Sequence, residues 1–301
     1  MKTSTKLDIK KDEMLSQHCR FSVGGPADFF VEVTTAEEMR DAITYATDNH
    51  LKYFIYSGGS NIFFDDKGFR GLVIRMIGGS FKVLHDGLVY VDAGYPLPKL
   101  VRDLARLDLG GLEFLGNIPG SIGGAVAGNA GCYGKSISEV LQEARVYSVA
   151  DKKMKVWKPI DFGFEYRHSR IKFDTDYIVL NVTLKTAPNS FGEIMDVIGR
   201  ELDERLSKHP HHAKCAGSFF KNPAGMSAWK IITEAGMQDA NVGDAMISPK
   251  HANFLINNGQ ATSQDIIELT HQIQTSVKKK TDISLEPEVR YVGEHGLIEN
   301  L

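Results

Sequence analysis

The chain has 301 residues, 42% of them hydrophobic and 24% charged, with 35 Lys and Arg against 38 Asp and Glu. The length fits two domains or one large one, and the balance is that of a globular protein. A net charge of −3 lacks the broad positive field of a general nucleic-acid binder, yet leaves room for a local pocket that takes a small anion.

In chain order, Phe29–Val33 reads as a strand. Thr35 then opens a helix, with Glu38 as its capping-box partner and Met39, Ile43 and Ala46 as its apolar stripe. Tyr53–Tyr56 is a short apolar strand that runs into the turn Ser57-Gly58-Gly59-Ser60-Asn61, and Leu72–Met76 is another strand. The middle third is strand-rich: Phe81–Leu84, Leu88–Asp92, Arg145–Ala150 and Tyr177–Lys185 alternate or run β-branched. A helix near Pro98–Leu107 and a glycine-rich loop at 116–131 interrupt them. A long amphipathic helix spans about Gly192–Lys208, with Ile194, Val197, Ile198, Leu202 and Leu206 on one face, and stops before Pro210. The last third reads as a separate αβ unit. It has a helix Ser227–Ala235 closed by Gly236, a strand Asn253–Asn257, and a helix capped by Thr262 and Asp265 that carries Ile266, Leu269, Ile273 and Val277. A final strand is expected over Ile283–Val292.

No apolar run approaches the roughly 18 residues of a membrane helix. The opening stretch MKTSTKLDIKKDEML has charge but no apolar core, so no secretory signal is expected there. Cys19, Cys132 and Cys215 are few, odd in number and widely spaced, which points to reduced thiols in a cytoplasm. The run His209-Pro-His-His212 lacks carboxylates or cysteines at zinc spacing, so no metal is expected.

Glycine is the unusual residue: there are 29, with eight between Gly110 and Gly131. The dinucleotide fingerprint GxGxxG is absent because no two glycines lie two residues apart. The nearest match to a phosphate loop, Asn129 to Ser136, has Asn where the first Gly belongs and no apolar strand before it. GxSxG is absent too. The loops at 57–61 and 116–131 remain, and each can aim backbone N–H groups at an anion. For Gly58-Gly59 alone a tight turn is the simpler reading. For NIPGSIGGAVAGNAG, close approach of the backbone to a large cofactor explains the missing side chains better.

Eight strings across the chain then carry a resemblance. They are Phe21–Asp28 (FSVGGPAD), Ser57–Asn61 (SGGSN), Gly116–Ala125 (GNIPGSIGGA), Asn129–Gly134 (NAGCYG), Tyr166–Ser169 (YRHS), Gly217–Pro223 (GSFFKNP), Lys250–Ala252 (KHA) and Leu285–Arg290 (LEPEVR). The sequence resembles the UDP-N-acetylenolpyruvoylglucosamine reductases, FAD enzymes of cytoplasmic peptidoglycan precursor synthesis. GSFFKNP followed by LEPEVR is the specific part.

The resemblance implies an α+β fold, with an FAD-binding domain of the vanillyl-alcohol-oxidase type and a smaller αβ substrate-binding domain. The FAD domain would occupy 1–205, as subdomains of about 1–79 and 80–205 joined by a C-terminal strand at 285–301. The substrate domain would occupy 206–284. Non-covalent FAD would be held by Gly58, Gly59, Ser60, Asn61, Pro119, Gly120, Ser121, Gly123, Gly124, Asn129 and Gly131. NADPH would reduce it, and a hydride would pass to C3 of the enolpyruvyl group, followed by a proton to C2. By the same resemblance Ser218 is the proton donor, Arg167 and Glu288 stabilise the enolate, and Lys208, Asn222, His251 and Arg290 grip the UDP-sugar. Glu288 and Arg290, two apart on an expected strand, would face one pocket. Taken alone, Ser218 would read as a turn serine, Arg167 as one half of a surface ion pair, Glu288 as a strand-edge charge, and Trp229 with Phe219-Phe220 as core or pocket wall. Two departures stand out. Ser57 replaces a glycine common in the family, and the chain between Arg167 and Tyr177 is short, as in the class without an inserted tyrosine loop. The alternatives are another flavin oxidoreductase of the same cofactor fold, an ATP-using transferase working through 129–136, and a non-catalytic binding protein.

Overall fold

The computed structural model describes residues 7–210 and 212–298. Residues of the opening stretch before Leu7, His211 of the histidine run, and 299–301 of the expected C-terminal strand lie outside them. The first part of the chain is β1 (Lys10–Met14), β2 (Pro26–Val33), α1 (Ala36–Asp48), β3 (Tyr53–Tyr56), β4 (Ile62–Phe64) and β5 (Phe69–Met76). The middle holds β6 (Phe81–Val83), β7 (Leu88–Asp92), α2 (Leu97–Ala105), β8 (Leu109–Gly110), α3 (Ile122–Gly128), β9 (Gly131–Cys132), β10 (Lys135–Ser136), β11 (Leu141–Ser148), β12 (Lys153–Trp157), β13 (Tyr177–Lys185) and β14 (Ala187–Pro188). Then come α4 (Phe191–Lys208), α5 (Ala228–Glu234), β15 (Asn241–Val242), β16 (Ala245–Ser248), β17 (His251–Asn257), α6 (Ser263–Thr281), β18 (Arg290–Gly293) and β19 (Gly296–Ile298).

Three sheets organise the molecule. The first, β1-β2-β5-β3, has parallel β2–β5 and β5–β3 pairs. The second, β12-β11-β13-β7-β6, is antiparallel throughout. The third, β15-β16-β17, packs against α5 and α6.

Apart from its exposed edge strand β1, the first sheet is buried on both faces, and the period of two along its strands separates two cores. Val31, Val33, Leu72, Ile74 and Met76 face a core shared with α1, α2, α3 and the second sheet. Phe30, Phe54, Tyr56, Phe69 and Val73 face another core, shared with Phe219, Phe220, Leu255, Leu269 and Ile273. The C-terminal αβ unit thus buries its apolar face against the first sheet.

Local signals account for the helices that matched. Thr35 and Glu38 form the capping box of α1, and Thr262 with Asp265 that of α6. Helix α4 runs through Lys208, three residues past the boundary expected at 205, and ends as Pro210 approaches. Two expectations fail. The stretch 116–131 is not all loop, because α3 forms inside it, capped by Ser121 Oγ, which accepts from Gly124 N. The strand expected over Ile283–Val292 begins only at Arg290. Before it the segment is pinned by single contacts instead, Phe220 bridging Pro287 and Glu288 N donating to Phe219 O. Pro287 has no N–H to continue a ladder. Phe219 and Phe220 are core, but Trp229 is 41% exposed. Among the described residues no helix is long and apolar enough to cross a membrane.

Candidate active site

A cleft of about 460 Å³ lies where the two glycine stretches, the YRHS turn and the GSFFKNP segment meet. Its size falls in the range of small-molecule sites. The glycine stretches form one wall by touching. A Cβ on Gly58 would sit 3.0 Å from Gly120 Cα, and Ser60 Oγ donates to Pro119 O at 2.9 Å. Gly59 has φ +59°, and a Cβ there would lie 2.5 Å from His18 O, so only glycine fits. The amides of residues 58–61 donate to no protein acceptor among the described residues, which leaves them for a ligand. Ser57, the departure noted above, donates its hydroxyl to Met76 O at 2.5 Å and so anchors the loop to β5.

Ten of the eleven expected cofactor residues line this cleft. The eleventh, Asn129, is buried behind it. It ends α3 in the left-handed conformation, and its Nδ2 donates to Glu165 O at 2.8 Å. Gly123 lines the cleft, but its N–H donates to Ala93 O, and a Cβ there would lie 2.9 Å from Ala93 Cβ. Its glycine serves helix–strand packing. The stretch 129–136 is a helix end followed by the β9–β10 hairpin. It is not the strand–loop–helix of a phosphate loop.

The three expected catalytic residues arrive from three segments. Glu165 and His168 exchange backbone hydrogen bonds, and the tight turn between them puts Arg167 at φ +56°. Ser169 Oγ ties this turn to Ala127 O at 2.6 Å. Ser218 sits on a segment sewn on both sides. Phe219 N donates to Asn253 O, and Asn253's side-chain amide pairs both backbone groups of Phe220, at 2.9 and 2.8 Å. On the other side Phe219 O accepts from Glu288 N, and Lys221 N donates to Glu286 O. Glu288 is held next to the first glycine loop, because Asn61 Nδ2 donates to Glu288 O at 3.1 Å and Arg290 N donates to Asn61 O at 3.0 Å. One asparagine of the glycine loop thereby fixes the segment that carries both charges, although Glu288 lies outside β18.

Arg167, Ser218, Glu288 and Arg290 all line the cleft. Arg167 Nε lies 3.3 Å from Glu288 Oε1, with side chains 26% and 18% exposed. Burial pushes the Glu288 carboxyl above its ordinary range, against the pull of Arg167, Lys172 and Lys221. Burial alone lowers Arg290 to about 10, and its guanidinium lies over the Phe173 ring. The short chain between Arg167 and Tyr177 is a single 3-10 turn, Arg170–Lys172, leaving Phe173 half exposed beside the cleft.

Three expected substrate residues stand outside the cleft lining. Lys208 is exposed and paired with Glu204 at 2.5 Å. Asn222 is exposed, and its Oδ1 accepts from Ala228 N at the start of α5. His251 is one layer back, packed edge-on to His209 and Phe254, both of which line the cleft. Among the cleft residues that sequence reasoning did not place there are Lys172, Arg205 and His209. Lys172 follows the YRHS turn closely, and that proximity was the available signal. Its burial was not legible.

A family model described as an FAD binding domain matches residues 27–155. One described as the UDP-N-acetylenolpyruvoylglucosamine reductase C-terminal domain matches residues 209–292. The chain is similar to the UDP-N-acetylenolpyruvoylglucosamine reductase of Carboxydothermus hydrogenoformans, 40% identical over 288 residues, 95% of this chain and 94% of that one. It is 37% identical to UDP-N-acetylenolpyruvoylglucosamine reductase 2 of Symbiobacterium thermophilum over 286 residues, 95% and 92% of the two chains. The crystal structure of the Thermus caldophilus UDP-N-acetylenolpyruvylglucosamine reductase superposes with a TM-score of 0.80 at 34% identity, covering 95% of this chain and 99% of that one.

Proposed function

This chain belongs to the UDP-N-acetylenolpyruvoylglucosamine reductase family, and from that premise we propose how its residues divide the work. The reaction is the NADPH- and FAD-dependent reduction of UDP-N-acetylenolpyruvoylglucosamine to UDP-N-acetylmuramate, carried out in the cytoplasm. The chain divides into an FAD domain, 1–205 with the return at 285–301, and a substrate domain, 206–284. FAD, when bound, supplies hydride transfer from NADPH to C3 of the enolpyruvyl group.

The cradle suits that group. The unspent amides at 58–61 and the missing side chains at Gly120 and at Gly124, in the first turn of α3, fit a pyrophosphate laid against backbone. Arg167 and Arg290 fix the anionic end of the substrate. As negative charge builds at C2 and its carboxylate, the Arg167 guanidinium is a permanent planar cation beside it. Ser218 then delivers a proton to C2. A serine hydroxyl is a weak acid, so its transfer depends on the neighbouring positive charges. Glu288, held against Arg167, orients that guanidinium and takes part in the proton balance. Asn61 and the Phe219 carbonyl together hold residues 288–290 where Glu288 meets Arg167 of the YRHS turn.

The observation that carries the reading is the convergence of Arg167, Ser218, Glu288 and Arg290 on the cleft walled by both glycine stretches. A flavin oxidoreductase of another specificity would need the glycine stretches but not this quartet. The test is turnover: purified protein with bound yellow flavin should oxidise NADPH when the enolpyruvyl UDP-sugar is added. Protein that holds flavin but ignores that substrate would overturn the reading.

A further inference from the structure

The turn that presents Arg167 rests on a buried lysine. Lys172 is 7% exposed, and its Nζ donates to Arg167 O at 3.0 Å. Arg167 occupies the left-handed region at φ +56°, which a residue with a Cβ disfavours, so the turn needs outside support. A lysine is seldom buried without a reason. Here the side chain reaches under the turn and also lines the cleft. Glu288 and Glu286 face it with negative charge, Lys221 and Arg290 with positive charge. On its own segment, Arg170 and Asp174 are a loose, half-exposed pair.

We propose that Lys172 is a positioning residue: it braces the Arg167 turn through the Arg167 carbonyl and sets a second positive charge opposite Glu288. The proposal deepens the reductase reading and rests on it. Burial, the dominant influence, pulls the ammonium down to about 8. The charge is therefore present below that pH and is lost as pH rises through it. A neutral amine can still donate to the carbonyl, so the turn survives deprotonation while the local field weakens.

The test uses the full flavin-loaded chain as wild type, Lys172→Met and Lys172→Arg. Chemically reduced protein is mixed with the enolpyruvyl UDP-sugar across the pH range, and flavin reoxidation is followed. Calorimetry gives the affinity of the oxidised protein for the same ligand, and melts report the fold. The wild-type rate should fall through about pH 8. Lys172→Met should be slower at neutral pH by on the order of 10²-fold, the cost of misplacing a positioned group. It should lack the falling limb, weaken UDP-sugar binding far less than it slows the rate, and melt slightly lower while keeping its flavin, since the Arg167 carbonyl loses its donor. Lys172→Arg should keep most of the rate and move the limb to higher pH. A Lys172→Met rate within about threefold of wild type overturns the proposal, as does an unchanged limb in either variant. Parallel loss of melting temperature and flavin in both variants would mark Lys172 as merely structural and overturn it too. If wild-type protein is not reoxidised by the enolpyruvyl UDP-sugar, the reductase reading itself fails and takes the proposal with it.

Discussion

Three alanine substitutions separate glycines required by the fold from those required by a ligand. Gly59→Ala puts a Cβ 2.5 Å from His18 O and 3.0 Å from Cys19 Cα, at φ +59°. The left-handed backbone costs an alanine about 1 kcal/mol and the overlap about 1–3, so the loss should be about 2–4 kcal/mol. For a chain of this size that is a fall in Tm of about 3–6 °C. Gly199→Ala, inside α4 with no atom within 4 Å of the new Cβ, should gain about 0.5–1 kcal/mol and leave flavin binding alone. Gly128→Ala is the informative one. It ends α3, lines the cleft and has no protein atom within 4 Å of its Cβ position. The fold should not suffer, yet a methyl there intrudes on the ligand's space. FAD affinity should drop by about tenfold or more, the equivalent of mild overpacking. Melts of the apo and flavin-loaded variants, with flavin titration, read both effects. If Gly128→Ala binds FAD as wild type does, the cofactor does not pass over that turn. If Gly59→Ala keeps its Tm, the close-approach argument is wrong.

Asn253→Ala removes both side-chain hydrogen bonds to the Phe220 backbone. The two buried groups left unpaired should cost about 2–5 kcal/mol, with turnover falling as Ser218 loses its mooring; urea unfolding beside kinetics checks this. Burial, then His251, Arg205 and Lys208, lower His209 from 6.5 to about 4. The unfolded chain thus binds the extra proton first, and stability present above pH 6.5 is lost as pH falls toward about 4. His209→Phe should flatten the loss of Tm across that window relative to wild type. Arg290→Ala should raise KM for the UDP-sugar more than it lowers kcat, whereas Glu288→Gln should hold KM within about threefold and cut kcat sharply. Near-wild-type kcat in Glu288→Gln would remove Glu288 from the chemistry.

What the sequence disclosed was what local chemistry decides. The Thr262–Asp265 box and the stripe Ile266, Leu269, Ile273, Val277 announce α6 without help from the rest of the chain. Helix α3 was hidden because IGGAVAG is poor helix-forming sequence; it is held by the Ser121 cap and by the contact of Gly123 with Ala93, a residue distant in sequence. Strand β1, KKDEM, is a charged, largely exposed edge with no apolar alternation to find. The site followed the same division. Strings singled out Arg167, Ser218, Glu288 and Arg290, which the fold brings to one cleft, but could not tell that Lys208 would pair outward with Glu204 or that Lys172 would turn inward. Burial of a charge is decided by tertiary packing, which leaves no trace in spacing.

The central claim is that Ser218, with Arg167 and Glu288, serves the step at the enolpyruvyl carbon and not the step with NADPH. Stopped-flow measurement of both half-reactions in Ser218→Ala tests this most directly. Flavin reduction by NADPH should remain near wild type, while reoxidation by the enolpyruvyl UDP-sugar should slow by about 10²–10⁴-fold, the usual contribution of general acid catalysis. Equal losses in the two half-reactions, or reoxidation at the wild-type rate, would contradict the account.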